Sequence, residues 1–201
     1  GGPQGSGVDT AANIFSRVGT KLGYHVFGKR EYHSNIKGLH SYFVVRLSDN
    51  KIRSNVNGAN IMVAFDAETM IRHGLSISKN GAIIYDSSIV NTSIDEIPTI
   101  EVDHRVRLNE FFKSKNMEPK VSSIIELAKE SGVNVYPISF WDTLSNIADE
   151  LKKPELSRMT RMFNVLGVSF SLGVLKAPIA PLLESIEEIF STKPTIVDLN
   201  K

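Results

Sequence analysis

Seven residues at the start of the chain, GGPQGSG, are of the types from which proteins build phosphate-binding loops. Glycines let backbone N–H groups approach an anion closely, and a following helix adds roughly half a positive charge. The candidate donors are Gly2, Gln4, Gly5, Ser6 and Gly7. Thr10 stands where the G-x-G-x-x-G fingerprint needs its last glycine, and Asp9 could satisfy the helix end by itself. Spacing alone therefore leaves an anion loop and a flexible linker equally open.

A basic segment, GKREYHSNIKGLHS, supplies further candidates for anion contact, namely Arg30, Lys37 and His40. An arginine after the second strand of a nucleotide-binding sheet can accommodate a ribose phosphate, whereas an acid such as Glu31 can hold a ribose hydroxyl. Because Arg30 and Glu31 are neighbours, the sequence leaves that choice open, as it does a solvated loop whose charges face water. His33 and His40 lack a third ligand at a recognisable spacing, so we predict no metal site.

Acidic side chains follow two apolar strand-like runs, Asp66 with Glu68 after ANIMVAF and Asp86 after GAIIY. Paired carboxylates can carry out acid–base chemistry. We predict instead that Asp66 caps the following helix and that Asp86 belongs to a polar loop. The sequence thus predicts no catalytic residue in this chain.

The elements that must position these residues follow from apolar periodicity and turn signals. We predict strands at YHVFGKRE, ANIMVAFD, GAIIYD, TIEVDH and VNVYPIS, and a strand, turn and short strand within SYFVVRLSDNKIRS. We predict helices at residues 8–22, AETMIRHGL, HRVRLNEFFKSK, VSSIIELAKESG and FWDTLSNIADELKK, and two more between residues 157 and 190.

These elements predict one α/β domain over residues 1–201, a three-layer Rossmann-like fold with a mostly parallel central sheet, a β-hairpin element and C-terminal helices. A glycine loop of this type normally follows a strand, so we expect the first strand to be missing before Gly1. We expect Trp141 to anchor the core. Gly167 and Gly173 would let a second helix or a partner subunit approach their helix closely, and their spacing does not choose between the two.

Charge and composition exclude several classes of function. With 23 basic and 22 acidic residues, the net charge of +1 gives no case for a nucleic-acid or membrane partner. The absence of cysteine excludes disulfides, thiolate zinc sites and iron–sulfur clusters bound by this chain alone. No signal peptide or membrane-spanning run is visible, so we expect a cytoplasmic protein.

Several segments, in order and spacing, resemble the gamma-type domain of 2-oxoacid:ferredoxin oxidoreductases. The closest resemblance is to the archaeal type, in which this domain begins a fused alpha subunit. The segments are GGPQGSGVDTAANIF, GYHVFGKREYHSNIKGLHSYFVVRLSD, VAFDAETMIRHG, GAIIYDSS and, as the late helix, RMFNVLGVSFSLGVL. The resemblance covers nearly the whole chain and implies that the opening glycines are native sequence rather than a linker.

The resemblance implies one part of an enzyme that oxidatively decarboxylates a 2-oxoacid on thiamine diphosphate, reduces ferredoxin through iron–sulfur clusters and transfers the acyl group to coenzyme A. Those cofactors are expected on alpha and beta partner domains or subunits, because this chain has no cysteine and no segment resembling the thiamine-binding ones. The isolated chain should be inactive. We predict that it docks on those partners and that its glycine loop, Arg30, Lys37 and His40 contact coenzyme A.

Two alternatives from other functional classes stay open. The chain could be an interaction module that binds no ligand, in which case the VLGVSFSLGVL helix should expose an apolar patch. It could also be a dinucleotide-binding module for NAD or FAD, although the incomplete glycine fingerprint and the Arg30–Glu31 pair count against that reading.

Overall fold

The computed structural model describes residues 1–32, 39–159 and 162–201. The strands of these ranges are β1 Gly2–Pro3, β2 His25–Tyr32, β3 His40–Ser48, β4 Ala59–Ala64, β5 Ile77–Asp86 and β6 Asn134–Ile138. The α-helices are α1 Val8–Lys21, α2 Ala67–His73, α3 Val102–Ser114, α4 Val121–Glu130, α5 Phe140–Glu150, α6 Phe163–Val174, α7 Ala180–Ile189 and α8 Pro194–Asn200. Both apolar helices expected near the C-terminus are present as α6 and α7.

The predicted hairpin pairs differently from our expectation. Instead of folding back onto residues 51–54, β3 pairs antiparallel with the preceding β2 over eight positions and with β1 over two. Residues 51–54 form no strand, and the Arg46 guanidinium donates to the Ser54 carbonyl at 3.0 Å. The longer ladder satisfies more backbone groups than a three- or four-residue partner could. The expected strand TIEVDH is also wrong, because α3 begins at Val102.

The remaining strands form the predicted parallel sheet, in the order β4-β5-β6. The two sheets are linked at Gly1, whose backbone nitrogen donates to the Val63 carbonyl at 2.7 Å while its carbonyl accepts from the Phe65 N–H at 3.0 Å. The glycine-rich start of the chain is therefore hydrogen-bonded into the sheet.

Helices cover both faces of the parallel sheet, which gives the predicted three layers. Successive strand residues point to opposite faces. Met62 and Ala64 join the core formed with α2 and α4, whereas Val63 and Phe65 face Gly167 of α6. A second core packs α1 against α6 and α7 through the buried residues Ile14, Val18, Val165, Val168, Leu172, Leu182 and Ile186.

Ion pairs on the outer side of α1 reinforce its packing against α7. Arg17 and Lys21 both pair with Glu188, at 2.8 and 2.7 Å, and Lys21 also reaches Glu184. The Lys21 ammonium group holds the pKa of Glu188 below its ordinary value. Because α1 carries the glycine-rich segment at its start, these contacts help to fix where that segment lies.

Trp141 is not the core anchor that we expected. Its side chain is 47% exposed and meets the Phe163 ring edge to face at 5.0 Å, whereas the neighbouring Phe140 is fully buried. Phe140 begins α5 on the side that faces the core, so its neighbour points outward.

Within the described ranges, no helix combines the length and the apolar character that crossing a bilayer requires.

Candidate functional site

The glycine loop, residues 2–7, includes the short strand β1 and leads into the start of α1. Gly5 and Gly7 have φ angles of 90° and 94°, values that side-chain-bearing residues rarely adopt. The Gln4 N–H donates to the Leu39 carbonyl at 2.6 Å, and the Ser6 N–H donates to the Pro3 carbonyl at 3.0 Å. The sequence therefore folds here into a tight turn fixed against β3.

Asn164, near the start of α6, holds the loop from the other side. Its side-chain amide donates to the Ser6 carbonyl at 3.0 Å, and the residue is only 3% exposed. A Cβ atom added at Gly7 would lie 2.1 Å from the Asn164 Nδ2 atom, so glycine is required by space as well as by φ. Our sequence reasoning missed Asn164, because nothing in the sequence joins it to a loop 158 residues earlier.

The helix end itself receives no side-chain cap. Gly7 occupies the N-cap position, and no described side chain accepts a hydrogen bond there. Asp9, which could have filled that role, instead pairs with the Arg30 guanidinium at 3.0 Å. Within the described ranges, no side chain caps the first N–H groups of α1, so they are available to water or to a ligand.

Arg30 of β2 lies across the glycine loop, as the sequence-based hypothesis requires. Its Nη2 atom donates to the Gln4 side-chain oxygen at 3.3 Å and pairs with Asp9. Glu31 is the next residue of the strand, so it faces the opposite side, where it pairs with Lys29. The structure thus brings Arg30, Gln4, Gly5, Ser6 and Gly7 together. Lys37 and His33 lie outside the described residues.

His40 is close to the loop in the backbone but not at its surface. It pairs with Pro3 in the ladder between β1 and β3, and its side chain is only 2% exposed. The ring stacks on His73 of α2 with centroids 5.1 Å apart, and their Nε2 atoms lie 2.9 Å from each other. Contact between His40 and a bound anion would require the ring to be uncovered.

Of the two strand-end acids, Asp66 has the structural role that we predicted. Asp86 lies at the end of a strand rather than in the polar loop that we predicted. The Asp66 carboxylate caps α2 by accepting from the Thr69 N–H at 2.8 Å. Asp86 is the last residue of β5 and is 7% exposed, and it accepts from the Ser88 N–H at 2.8 Å. Neither arrangement calls for a catalytic role.

Glu68 is buried in a network that the sequence did not indicate. Its carboxylate accepts from the Arg72 guanidinium at 2.7 Å and from the Thr99 hydroxyl at 2.5 Å. Arg72 is itself 7% exposed at the side chain and also pairs with Glu101 at 2.9 Å. This network ties α2 to the segment that leads into α3.

An open groove of about 680 Å³ lies elsewhere, between the end of α3 and α4. Its lining includes Lys115, Asn116, Glu118 and Glu126. None of the predicted site residues borders this groove, and the charged side chains that line it include both a cation and carboxylates. The glycine loop with Arg30 therefore stays the stronger candidate site.

Comparison with known proteins identifies the family. The profile of the family described as "Pyruvate ferredoxin/flavodoxin oxidoreductase" matches residues 1–201. The alpha subunit of 2-oxoacid:ferredoxin oxidoreductase 1 from Sulfurisphaera tokodaii is 37% identical over 190 residues, which are 94% of this chain and 30% of that subunit. The alpha subunit of 2-oxoacid:ferredoxin oxidoreductase 2 from Aeropyrum pernix is 32% identical over 200 residues, covering 100% of this chain and 31% of the relative.

Solved structures support the same fold at low sequence identity. The gamma subunit of a keto/oxoacid ferredoxin oxidoreductase from Geobacter sulfurreducens has a TM-score of 0.58 and 12% identity, covering 98% of this chain and 87% of that subunit. The pyruvate oxidoreductase subunit PORC from Thermotoga maritima has a TM-score of 0.50 and 16% identity, covering 99% and 86%.

The chain spans about three tenths of the length of the curated relatives it matches. The predicted family resemblance is confirmed, both in sequence and in the gamma-subunit fold. This chain belongs to the pyruvate ferredoxin/flavodoxin oxidoreductase family.

Proposed function

We propose that this chain is the gamma-type part of a 2-oxoacid:ferredoxin oxidoreductase, in which it helps to bind coenzyme A and docks on the catalytic subunits. Its relatives are subunits of such oxidoreductases. Thiamine diphosphate and the iron–sulfur clusters belong to the alpha and beta partners in this proposal, and electrons leave the complex on ferredoxin. The chain by itself is inactive, since the reacting cofactors are bound elsewhere.

The observation that carries the coenzyme A proposal is the position of Arg30. Its guanidinium lies over the glycine loop, bonded to Gln4, while the competing acid Glu31 faces away with Lys29. A guanidinium beside glycine-rich backbone donors is suited to phosphate oxygens, which it binds with two parallel hydrogen bonds. This arrangement favours a phosphate over the ribose hydroxyl that Glu31 would have held.

The proposed contacts are the backbone of Gly2, Gly5 and Gly7, the side chains of Gln4 and Ser6, and the cations Arg30 and Lys37, with His40 only if its ring is uncovered. Coenzyme A carries a ribose phosphate and a pyrophosphate, so it offers more anionic oxygens than one cation can neutralise. The uncapped first turn of α1 adds a favourable potential for the same charge.

Asp9 is the feature that opposes this proposal, because its carboxylate already pairs with Arg30 at 3.0 Å. An incoming phosphate must displace that carboxylate or share the guanidinium with it. Both side chains are partly exposed, at 39% for Arg30 and 46% for Asp9, so the pair is accessible and only modestly stable. We propose that Asp9 occupies the guanidinium in the absence of coenzyme A.

The test is calorimetric titration of coenzyme A into the assembled oxidoreductase. Arg30→Ala and Lys37→Ala should each weaken affinity by about 10–100-fold, since a hydrogen bond to a charged group contributes roughly 1.5–3 kcal/mol. Lys29→Ala is the matched control, because this cation lies one position away on the opposite face of β2. Wild-type affinity and turnover in both Arg30→Ala and Lys37→Ala would remove these side chains from the site.

A second candidate, a dinucleotide-binding module, gains no support from the described residues. The acid that would hold a ribose hydroxyl, Glu31, faces away from the loop. The first alternative, an interaction module marked by an exposed α6, meets a similar difficulty, because Val165, Val168 and Leu172 of α6 are buried internally.

Docking is instead proposed at α3, whose side chains Val102 and Val106 are 75% and 52% exposed.

A further inference from the structure

A buried polar cluster lies between β3 and α2, and the proposed coenzyme A contacts at the loop surface do not explain it. His40, Asp66 and Glu68 each offer one nitrogen or oxygen atom, and these three atoms lie within 4.8 Å of one another. His40 and Glu68 are 2% and 5% exposed, and Asp66 is half-buried. Burying two carboxylates and an imidazole together is costly unless their charge is compensated.

The separation of the three atoms suits a shared cation. Ligands of a tetrahedral zinc ion lie about 3.4 Å apart when their bonds are about 2.1 Å long. The three atoms of the cluster lie within 4.8 Å of one another, a range that includes this separation. One histidine and two carboxylates also form a donor set that suits several divalent first-row metals.

Neighbouring groups hold each of the three side chains in the way that metal ligands are commonly held. A ligating histidine usually donates its other ring N–H to an acceptor, and His40 has His73 Nε2 at 2.9 Å from its own Nε2. Ligating carboxylates are themselves hydrogen-bonded. Glu68 accepts from Arg72 and Thr99, and Asp66 accepts from the Thr69 N–H.

The local charge also favours a cation. The carboxylates of Glu68 and Glu101 pair with the guanidinium of Arg72, and the Asp66 carboxylate lies within 4.8 Å of the possible ligand atoms of His40 and Glu68. These three carboxylates and one guanidinium have a formal charge of −2. A divalent ion would balance that charge without displacing Arg72 or Thr99, because each of them donates to one Glu68 oxygen and each carboxylate oxygen has a second lone pair.

We propose that His40, Asp66 and Glu68 bind one divalent first-row metal ion, with Zn²⁺ or Mn²⁺ as the best-suited species, and that His73 orients His40. We predicted no metal site because no third ligand stands at a recognisable spacing from His33 and His40. Asp66 caps α2 and Glu68 lies within it, and only the packing of that helix on β3 brings the two carboxylates to His40. The site shares His40 with the proposed coenzyme A contacts, but metal binding is measured without coenzyme A and does not depend on that function.

The test is calorimetric titration of Zn²⁺ into the assembled oxidoreductase that contains this chain. The wild type should bind one equivalent of Zn²⁺ that depends on His40. His40→Ala should weaken that binding by at least about 100-fold, and His73→Ala by roughly 10–100-fold, the range typical of groups that orient a ligand. His25→Ala is the matched control, because this histidine is exposed at the start of β2, and its affinity should equal that of the wild type.

X-ray absorption of the zinc-loaded wild-type oxidoreductase keeps the proposal testable if a variant fails to fold, which circular dichroism would reveal. The spectrum should show imidazole scattering together with oxygen ligands. Failure of the wild type to bind zinc or manganese would overturn the proposal. So would a spectrum without imidazole, or binding that His25→Ala removes and His40→Ala leaves intact.

Discussion

Arg30 reaches the glycine loop because alternate residues of β2 face opposite sides of the sheet. Its contacts with Gln4 and Asp9 fix the guanidinium where a phosphate bound at the start of α1 would meet it. The same alternation turns Lys29 and Glu31 toward each other on the other face. On one face of β2, Arg30 is therefore placed to bind an anion, while on the other face Lys29 and Glu31 neutralise each other.

Replacing Asp9 by asparagine should strengthen coenzyme A binding. The Asp9 carboxylate competes with phosphate for Arg30, and its charge lies in the first turn of the helix that would attract the ligand. Asp9→Asn removes the charge and keeps the shape, so the dissociation constant should fall by about twofold to fivefold, the range of an exposed ion pair worth up to ~1 kcal/mol. Calorimetric titration of the assembled oxidoreductase measures this change.

Weaker binding in Asp9→Asn would mean that the carboxylate holds Arg30 in a productive position rather than competing for it. Asp149→Asn is a suitable control, since Asp149 lies near the end of α5 and its side chain is exposed. Coenzyme A affinity should be unchanged in that variant.

At single residues, the sequence was informative where the partner is close along the chain. Asp66 was predicted as a helix cap because its acceptor role involves a backbone group three residues later. The contact of Asn164 with Ser6 and the burial of His40 against His73 depend on how distant elements pack. No local pattern encodes those contacts, so both were found only from the structure.

At the scale of elements, α6 is shaped by a glycine that permits close packing on the sheet. A Cβ atom at Gly167 would lie 2.9 Å from the Phe65 ring and 3.0 Å from Val63, whereas a Cβ atom at Gly173 would meet nothing within 4 Å. Within the described residues, Gly167 alone of these two glycines is closely approached, and the approach of a partner subunit to Gly173 stays a prediction.

Gly167→Ala should lower the free energy of unfolding by about 1–3 kcal/mol, because the added methyl group overpacks a close contact. Gly173→Ala is the matched control and should leave stability unchanged or raise it by up to about 1 kcal/mol, since alanine is the better helix former. Urea unfolding followed by circular dichroism measures both variants. Equal stability of the two would contradict the packing assigned to α6.

Most elements were predictable because apolar periodicity marks one buried face, as in α1, or a doubly buried strand, as in β5. Which strands pair with each other was harder to predict from the sequence. Residues 51–54 include residue types that favour strands, but β3 pairs with the longer β2 instead. The two strands pair in register over eight positions, more than residues 51–54 could offer. The start of α3 at Val102 was missed because valine and isoleucine around it favour strands locally.

At the scale of the whole molecule, the chain corresponds to about three tenths of its curated relatives, and part of its apolar surface is uncovered. Val102 and Val106 stand four residues apart on one face of α3, where side chains are neighbours. An exposed apolar pair on one helix is suited to burial against another subunit. We propose that this face contacts the catalytic partners.

Val102→Asp and Val106→Asp should weaken association with the catalytic subunits by at least about tenfold, because each places a charge in an apolar contact. Val56→Asp is the control, since this valine is 55% exposed in the segment before β4 and lies away from α3 in the chain. Sedimentation of the mixed subunits measures association. Undiminished assembly of both α3 variants would place the interface on another surface.

We propose that the glycine loop and Arg30 bind the phosphates of coenzyme A. Titration of the assembled oxidoreductase with coenzyme A and, separately, with pantetheine, which has no phosphate, tests it most directly. Arg30→Ala should weaken coenzyme A binding by about tenfold or more and leave pantetheine binding unchanged. Equal affinity of wild type and Arg30→Ala for coenzyme A, or an equal loss for both ligands, would contradict the claim.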